Sequence, residues 1–173
     1  EHSDRWVEKA KSGNPFESMS QLLFAVRALN QPVAIPQILS ALESGDLTGE
    51  SATADVADLV SKVGNAEQLN RLFELALMEN TSDVDKQILL ESLVSAGKLR
   101  KLQPSGDKTR LSQFLQSNNV GLFSSAASLA GLWKLESARP GLKEAFQKSP
   151  ENPARGKAAM DGLISLGGPA TAK

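Results

Sequence analysis

The sequence predicts an all-α protein, an α-α superhelix of about five helix pairs. Apolar residues recur at helical spacing along most of the 173 residues, and the alternation with a period of two that is typical of strands is absent. Apolar stretches end before a turn at regular intervals of 34, 33, 39 and 31 residues. Such a recurrence is typical of α-solenoids, in which helix pairs stack side by side. The ends of these stretches are Leu29, Val63, Ala96, Leu135 and Leu166.

The recurrence divides the chain, taken as one domain over 1–173, into five unequal units. Their bounds are roughly 14–45, 49–79, 81–117, 120–149 and 152–173. The first unit begins at Asn14-Pro15, and Pro36 opens its second helix, which is expected to end at Gly45. The last unit is expected to lack its second helix. Because the chain starts without an initiator Met, we expect it to be excised from a longer protein.

Local signals set the helices of the second and third units. The second unit is predicted as helices over 51–62 and 66–79, with Gly64 as the left-handed C-cap of the first. The third begins near Ser82 and is expected to end at Ala96-Gly97. A loose insertion over 98–108 and a short helix to Ser117 follow, which accounts for the longest interval.

The fourth unit has the clearest helical pattern. Leu122, Ala126, Leu129 and Trp133 form one apolar stripe, which predicts that Trp133 lies in the core. Pro140 is expected to open the second helix of this unit, because its missing N–H costs nothing in a first turn. Asn-Pro at 152–153 predicts the start of the fifth unit in the same way.

The composition excludes several classes of function. The chain has no cysteine, so disulfides and thiol chemistry are excluded. Its one histidine, His2, lies at the terminus, which argues against a transition-metal site and against a catalytic triad, and no cofactor is predicted. The longest apolar run, residues 22–26, is far too short to span a bilayer. The net charge of −1 gives no general attraction to nucleic acid.

Two junctions share the pattern Ala-x-Pro-x-aliphatic. They lie at 34–38 and 138–142, and Gly167-Gly168-Pro169-Ala170 is a variant of them. This pattern resembles the junction between the two helices of HEAT repeats, especially the bacterial HEAT-like kind. The resemblance implies an armadillo-like α-solenoid that binds proteins. The chain also resembles in style the HEAT-like segments of large exported dehydrogenase and cytochrome c proteins, which implies an extracytoplasmic bacterial setting.

The function expected from this resemblance is a non-catalytic interaction or spacer module of a larger protein. Its partner would be a flanking domain of the same chain or another protein. The alternative is a HEAT-like enzyme, either a glycosylase acting on nucleic acid or a tetrapyrrole lyase. In HEAT-like arrays the second helices line the concave face. The candidate contact residues on those helices include Gln37, Ser40, Asn70, Arg71, Glu74, Gln113, Lys143, Glu144 and Gln147.

A basic cluster in the third unit is a second candidate contact surface. It could recognise an anion or an acidic partner, or it could be an ordinary solvated loop. Aromatic residues do not interleave with its basic residues, which disfavours nucleic acid as the ligand. The cluster comprises Lys98, Arg100, Lys101, Lys108 and Arg110, with only Asp107 opposing them.

Overall fold

The computed structural model describes residues 35–47 and 51–168. The predicted first helices of the chain, His2 and residues 169–173 lie outside the described residues. Within this part of the chain the secondary structure is entirely helical, without a strand, which confirms the predicted all-α class. The α-helices are α1 (Ile35–Ser44), α2 (Ala52–Val63), α3 (Ala66–Leu77), α4 (Asp83–Arg100), α5 (Ser112–Leu115), α6 (Val120–Leu132), α7 (Arg139–Gln147) and α8 (Pro153–Leu166). Short 3-10 helices, Thr109–Leu111 and Glu136–Ala138, precede α5 and α7.

The helices alternate between two layers. In the first layer α2 packs against α4, α4 against α6, and α6 against α8. In the second layer α1 contacts α3, and α5 contacts α7. Helices of the second layer also pack on the first, as α3 does on α4 and α7 on α8. This alternation is the superhelical arrangement of helices that the sequence predicts.

Several helices begin at the capping residues and prolines that the sequence predicts. Asn65 and Gln68 form a capping box at the start of α3, each side chain bonding the backbone N–H of the other at 2.9 Å. Asn152 accepts a hydrogen bond from the N–H of Arg155 at the start of α8. Pro140 lies in the first turn of α7. The predicted helix end at Gly45 is also confirmed, since α1 ends at Ser44 and Gly45 has a φ of 77°.

One predicted helix end and one predicted cap conformation are wrong, although Gly64 is the C-cap of α2 as predicted. Gly64 is not left-handed, since its φ is −66°. Glycine is needed there because a Cβ would lie 2.6 Å from the carbonyl oxygen of Val60. The helix α4 does not end at Gly97 but continues to Arg100, and Lys101 adopts the left-handed C-cap with a φ of 56°. Gly97 lies inside the helix and packs against Leu132 of α6.

The core runs between the two layers, and glycines bring α6 and α8 close together. A Cβ on Gly162 of α8 would lie 2.8 Å from the carbonyl oxygen of Ala127 on α6. Trp133 is buried as predicted, and its ring meets Phe73 of α3 edge-on, with centroids 5.5 Å apart. Side chains from both layers therefore form one continuous core along the described array.

The third unit departs from the pattern of a full second helix. Its second-layer element is the single turn α5, preceded by a 3-10 turn, and residues 101–108 form a loop. This loop is fastened to α3, because Ser105 N–H bonds the carbonyl of Ala66 and Gly106 N–H bonds Asn70 Oδ1, both at 3.1 Å. A full-length helix is thus missing from the second layer beside α7.

Candidate functional site

An open groove lies beside the shortened α5. Its volume is about 580 Å³, and α5, the length of α7 and the start of α8 form its sides. Because α5 has only one turn, the space that a longer helix would fill against α7 stays open. The groove is lined by Ser112, Leu115, Gln116, Asn118, Ser137, Ala138, Gly141, Glu144, Ala145, Lys148, Glu151, Asn152 and Arg155. We refer to it below as the α5–α7 groove.

Arg155 holds two sides of the α5–α7 groove together. Its guanidinium donates to the carbonyl of Leu115 at 2.7 Å and to the carbonyl of Ser117, both at the end of α5. The guanidinium carbon lies 4.0 Å from the ring centroid of Phe123, in a cation–π contact. A cation at a helix C-terminus satisfies carbonyls that have no partner within the helix. Arg155 therefore holds the start of α8 against the end of α5, which form two sides of the groove.

The charges of the groove balance one another. Glu144 and Lys148 form an ion pair at 2.8 Å on the α7 side. Hydrogen bonding to Lys148 holds the pKa of Glu144 below its ordinary value, and the same bond raises the pKa of Lys148. Glu151 and Arg155 add one charge of each sign. A groove with two acidic and two basic side chains selects a ligand by hydrogen bonding and shape rather than by net charge.

Neutral hydrogen-bonding groups make up the rest of the polar lining. Gln116 and Asn118 are exposed and offer both an amide donor and an amide acceptor. Ser112 and Ser137 are exposed hydroxyls on the α5 side and the α7 side respectively. Together these four residues present donors and acceptors along both walls. Such a surface matches a ligand that itself alternates donors and acceptors.

The structure separates the members of the predicted basic cluster. Arg110 forms an ion pair with Glu74 of α3 at 2.7 Å. Arg100 donates to the carbonyl of Ser61 at the end of α2, at 3.1 Å. Lys108 donates to the carbonyl of Pro104 within its own loop, at 3.2 Å. The remaining two, Lys98 and Lys101, are exposed near the end of α4. Arg100 and Arg110 therefore already bind neighbouring helices, and Lys108 is bonded within its own loop.

The predicted contact residues of the second helices divide in the same way. Arg71 and Glu74 are engaged in ion pairs with Glu43 and Arg110. Gln113 on α5 and Lys143 and Gln147 on α7 are exposed on the helices that border the groove, but they do not line it.

Sequence reasoning missed most of the residues that line the groove. Ser112, Gln116, Asn118 and Ser137 were not among its candidates, because hydroxyl and amide residues in short loops are common. The available signal was the shortness of the predicted helix before Ser117. A one-turn helix in an array of helix pairs leaves a gap in its layer, and the residues beside that gap are candidates for binding.

Two further properties belong to the part of the chain that the structure describes. No helix over 35–47 and 51–168 is long and apolar enough to cross a membrane. Among these same residues, no group of three or more histidine, aspartate or glutamate side chains is placed to hold a metal ion. Comparison with protein-family models, curated proteins and solved structures finds no match to the chain.

Proposed function

We propose that this chain is a HEAT-like repeat array that acts as a non-catalytic protein-interaction module. Its ligand is an extended polypeptide segment that lies in the α5–α7 groove. The two-layer alternation of helices and the Pro-initiated α7 support the repeat assignment. The segment belongs either to a flanking domain of a larger protein or to a separate protein.

The observation that carries this proposal is the composition of the groove walls. An extended peptide offers one N–H donor and one C=O acceptor per residue, and neither is satisfied within the strand. Gln116 and Asn118 supply both kinds of group on one wall, and Ser137 does so on the other. Amide and hydroxyl side chains can therefore bind the backbone of a peptide without requiring one particular sequence.

The geometry of the groove also suits such a ligand. The groove is partly open to solvent, and Arg155 ties two of its sides, α5 and α8, to each other. A preformed site loses less conformational entropy when it binds than a site that must order itself. The balanced charges of the groove predict that affinity falls only weakly with salt, in contrast to a nucleic-acid site.

The test is a selection of phage-displayed random peptides on the purified chain, followed by calorimetry with the enriched peptides. Gln116→Arg and Ser137→Arg each place a long charged side chain in the groove, and we expect each to weaken binding at least tenfold. Glu91→Arg, at an exposed position on α4, is the matched control and should bind as the wild type does. Failure to enrich any peptide, or equal binding by all three variants, would contradict the proposal.

A further inference from the structure

The last two helices of the described chain expose large apolar side chains. Phe146 on α7 is 43% exposed, and Met160 and Ile164 on α8 are 48% and 60% exposed. They make up half of the six exposed large apolar residues among those the structure describes. Apolar side chains that cluster on a surface mark sites of interaction more often than apolar residues that are scattered singly.

Helical spacing places these three residues on the sides of α7 and α8 that face away from α5 and α6. Gly162 faces α6, and Met160 and Ile164 each lie two residues from it, which is roughly 160° around the helix at 3.6 residues per turn. Glu144 lines the groove towards α5, and Phe146 lies two residues beyond it, again roughly 160° away. We call Phe146, Met160 and Ile164 the end face.

The end face lies where the stacking of first-layer helices would continue. In the first layer, α4 covers one side of α2, α6 covers one side of α4, and α8 covers one side of α6. The end face lies on the side of α8 where the next helix of such a series would stack. A helix with apolar residues on two sides is typical of one that packs against a neighbour on each of those sides.

We propose that the end face binds the end face of a second copy of this chain, with the two copies of α8 packed antiparallel about a two-fold axis near Met160. Charge complementarity argues for a second copy as the occupant. Lys157 and Asp161 pair at 3.0 Å along one edge of the stripe. The two-fold axis sets Met160 against the second copy's Met160 and brings Lys157 within reach of the second copy's Asp161.

This arrangement keeps equivalent layers together. A two-fold axis that crosses α8 at right angles within the interface packs first layer on first layer and second layer on second layer, so that Phe146 is covered as well. The net charge of −1 offers little long-range repulsion between copies. The α5–α7 groove lies on the other side of α7, so a dimer displays two grooves and gains avidity for a ligand with two binding segments.

A cysteine cross-link tests the position of the axis. The chain has no cysteine, so Met160→Cys introduces the only thiol, and under mild oxidation we expect a disulfide-linked dimer. Val84→Cys is the matched control, because Val84 is also an exposed apolar residue but lies on α4, and it should form no disulfide-linked dimer. Equal cross-linking of both variants would overturn the proposal.

Sedimentation equilibrium with charge-swapped variants tests the occupant. The wild type should dimerise reversibly. Lys157→Asp and Asp161→Lys each place like charges together and should weaken the dimer at least tenfold, whereas the double swap should restore it. Circular dichroism verifies that each variant is folded. A wild type that stays monomeric at millimolar concentration overturns the proposal and points to a further helix, of a longer protein that contains this chain or of a different polypeptide, as the occupant. A double swap that fails to restore the dimer overturns it as well.

Discussion

The guanidinium of Arg71 on α3 binds the carboxylate of Glu43 on α1 through two hydrogen bonds of 2.8 and 2.6 Å. It also donates to the carbonyl of Pro36 and to Ser40 Oγ, both at 2.9 Å. One side chain therefore joins second-layer helices of adjacent units by four hydrogen bonds. A planar guanidinium can satisfy all these acceptors at once, which a lysine ammonium cannot.

Arg71 should contribute measurably to stability. Arg71→Lys should lower the free energy of unfolding by about 1 kcal/mol, and Arg71→Ala by about 2 kcal/mol, because bonds to Glu43, Pro36 and Ser40 are lost. Urea denaturation measures both. Arg110→Ala, which removes a more exposed pair with Glu74, is the control and should change stability by less than about 0.5 kcal/mol. Equal effects of Arg71→Ala and Arg110→Ala would contradict this reading.

Two glycine-to-alanine changes should have opposite effects. In Gly162→Ala the new Cβ collides with the carbonyl of Ala127, so the free energy of unfolding should fall by about 1–3 kcal/mol despite the better helix propensity of alanine. In Gly141→Ala the Cβ meets nothing within 4 Å in α7, and stability should rise by about 0.5–1 kcal/mol. Thermal denaturation of both variants measures the difference. If Gly162→Ala also stabilises the chain, the close approach of α6 and α8 is not as described.

Trp133 should tolerate loss of its indole nitrogen but not of its bulk. Its Nε1 is buried and has no hydrogen-bond partner among the residues that the structure describes, which costs about 1–3 kcal/mol in the folded state. Trp133→Phe removes that unpaired donor while it opens a small cavity, so stability should change by less than about 1 kcal/mol. Trp133→Ala should cost about 3–5 kcal/mol, because the contact with Phe73 is lost and a large cavity remains. Comparable losses in both variants, by urea denaturation, would show that the nitrogen does have a partner.

The carboxylate of Asp107 should titrate at unusually low pH. Thr109 donates to it from its hydroxyl and its N–H, at 2.7 and 2.9 Å, and these bonds hold the pKa of Asp107 below its ordinary value of 3.8. Since the folded-state pKa is lowered, the stabilisation is present above the ordinary pKa and is lost as the pH falls through the folded-state value.

Thr109→Val tests the cause of this shift. It removes the hydroxyl bond and leaves the backbone bond, so the pKa of Asp107 should rise part of the way towards 3.8, as followed by NMR titration of the side-chain carboxyl. Thr53→Val, on α2, serves as the control and should leave that pKa unchanged. An unchanged pKa in Thr109→Val would rule out the hydroxyl as the main cause.

Features that depend on a few consecutive residues could be predicted from the sequence. The apolar stripe of α6 placed Trp133 in the core, and Asn152 and Pro140 marked helix starts correctly. Helix ends predicted from a glycine alone were less accurate than helix starts predicted from Asn and Pro. Gly64 has a backbone oxygen too close for a Cβ, and Gly97 packs closely on Leu132, and a sequence does not distinguish such close packing from the need for a positive φ. The expected link to exported dehydrogenase and cytochrome c proteins stays a prediction.

The candidate sites depend on contacts between units. Five basic residues lie close together in the sequence over 98–110. In the structure Arg110 pairs with Glu74, 36 residues away, and Arg100 donates to the carbonyl of Ser61, 39 residues away. Whether a charged side chain remains available to a partner therefore depends on how one helix pair packs against the next. The same holds for the α5–α7 groove, whose walls come from α5, α7 and α8.

The sequence by itself determined that the described part of this protein is helical and where most of its helices begin. These properties follow from hydrophobic periodicity and from caps within a few residues, which need no information about distant parts of the chain. Only the tertiary structure decided that α5 leaves a groove, that Arg71 joins α3 to α1, and that the end face is exposed. Each of these depends on distances across the stack, and small changes in helix length or rotation alter them without altering the local pattern.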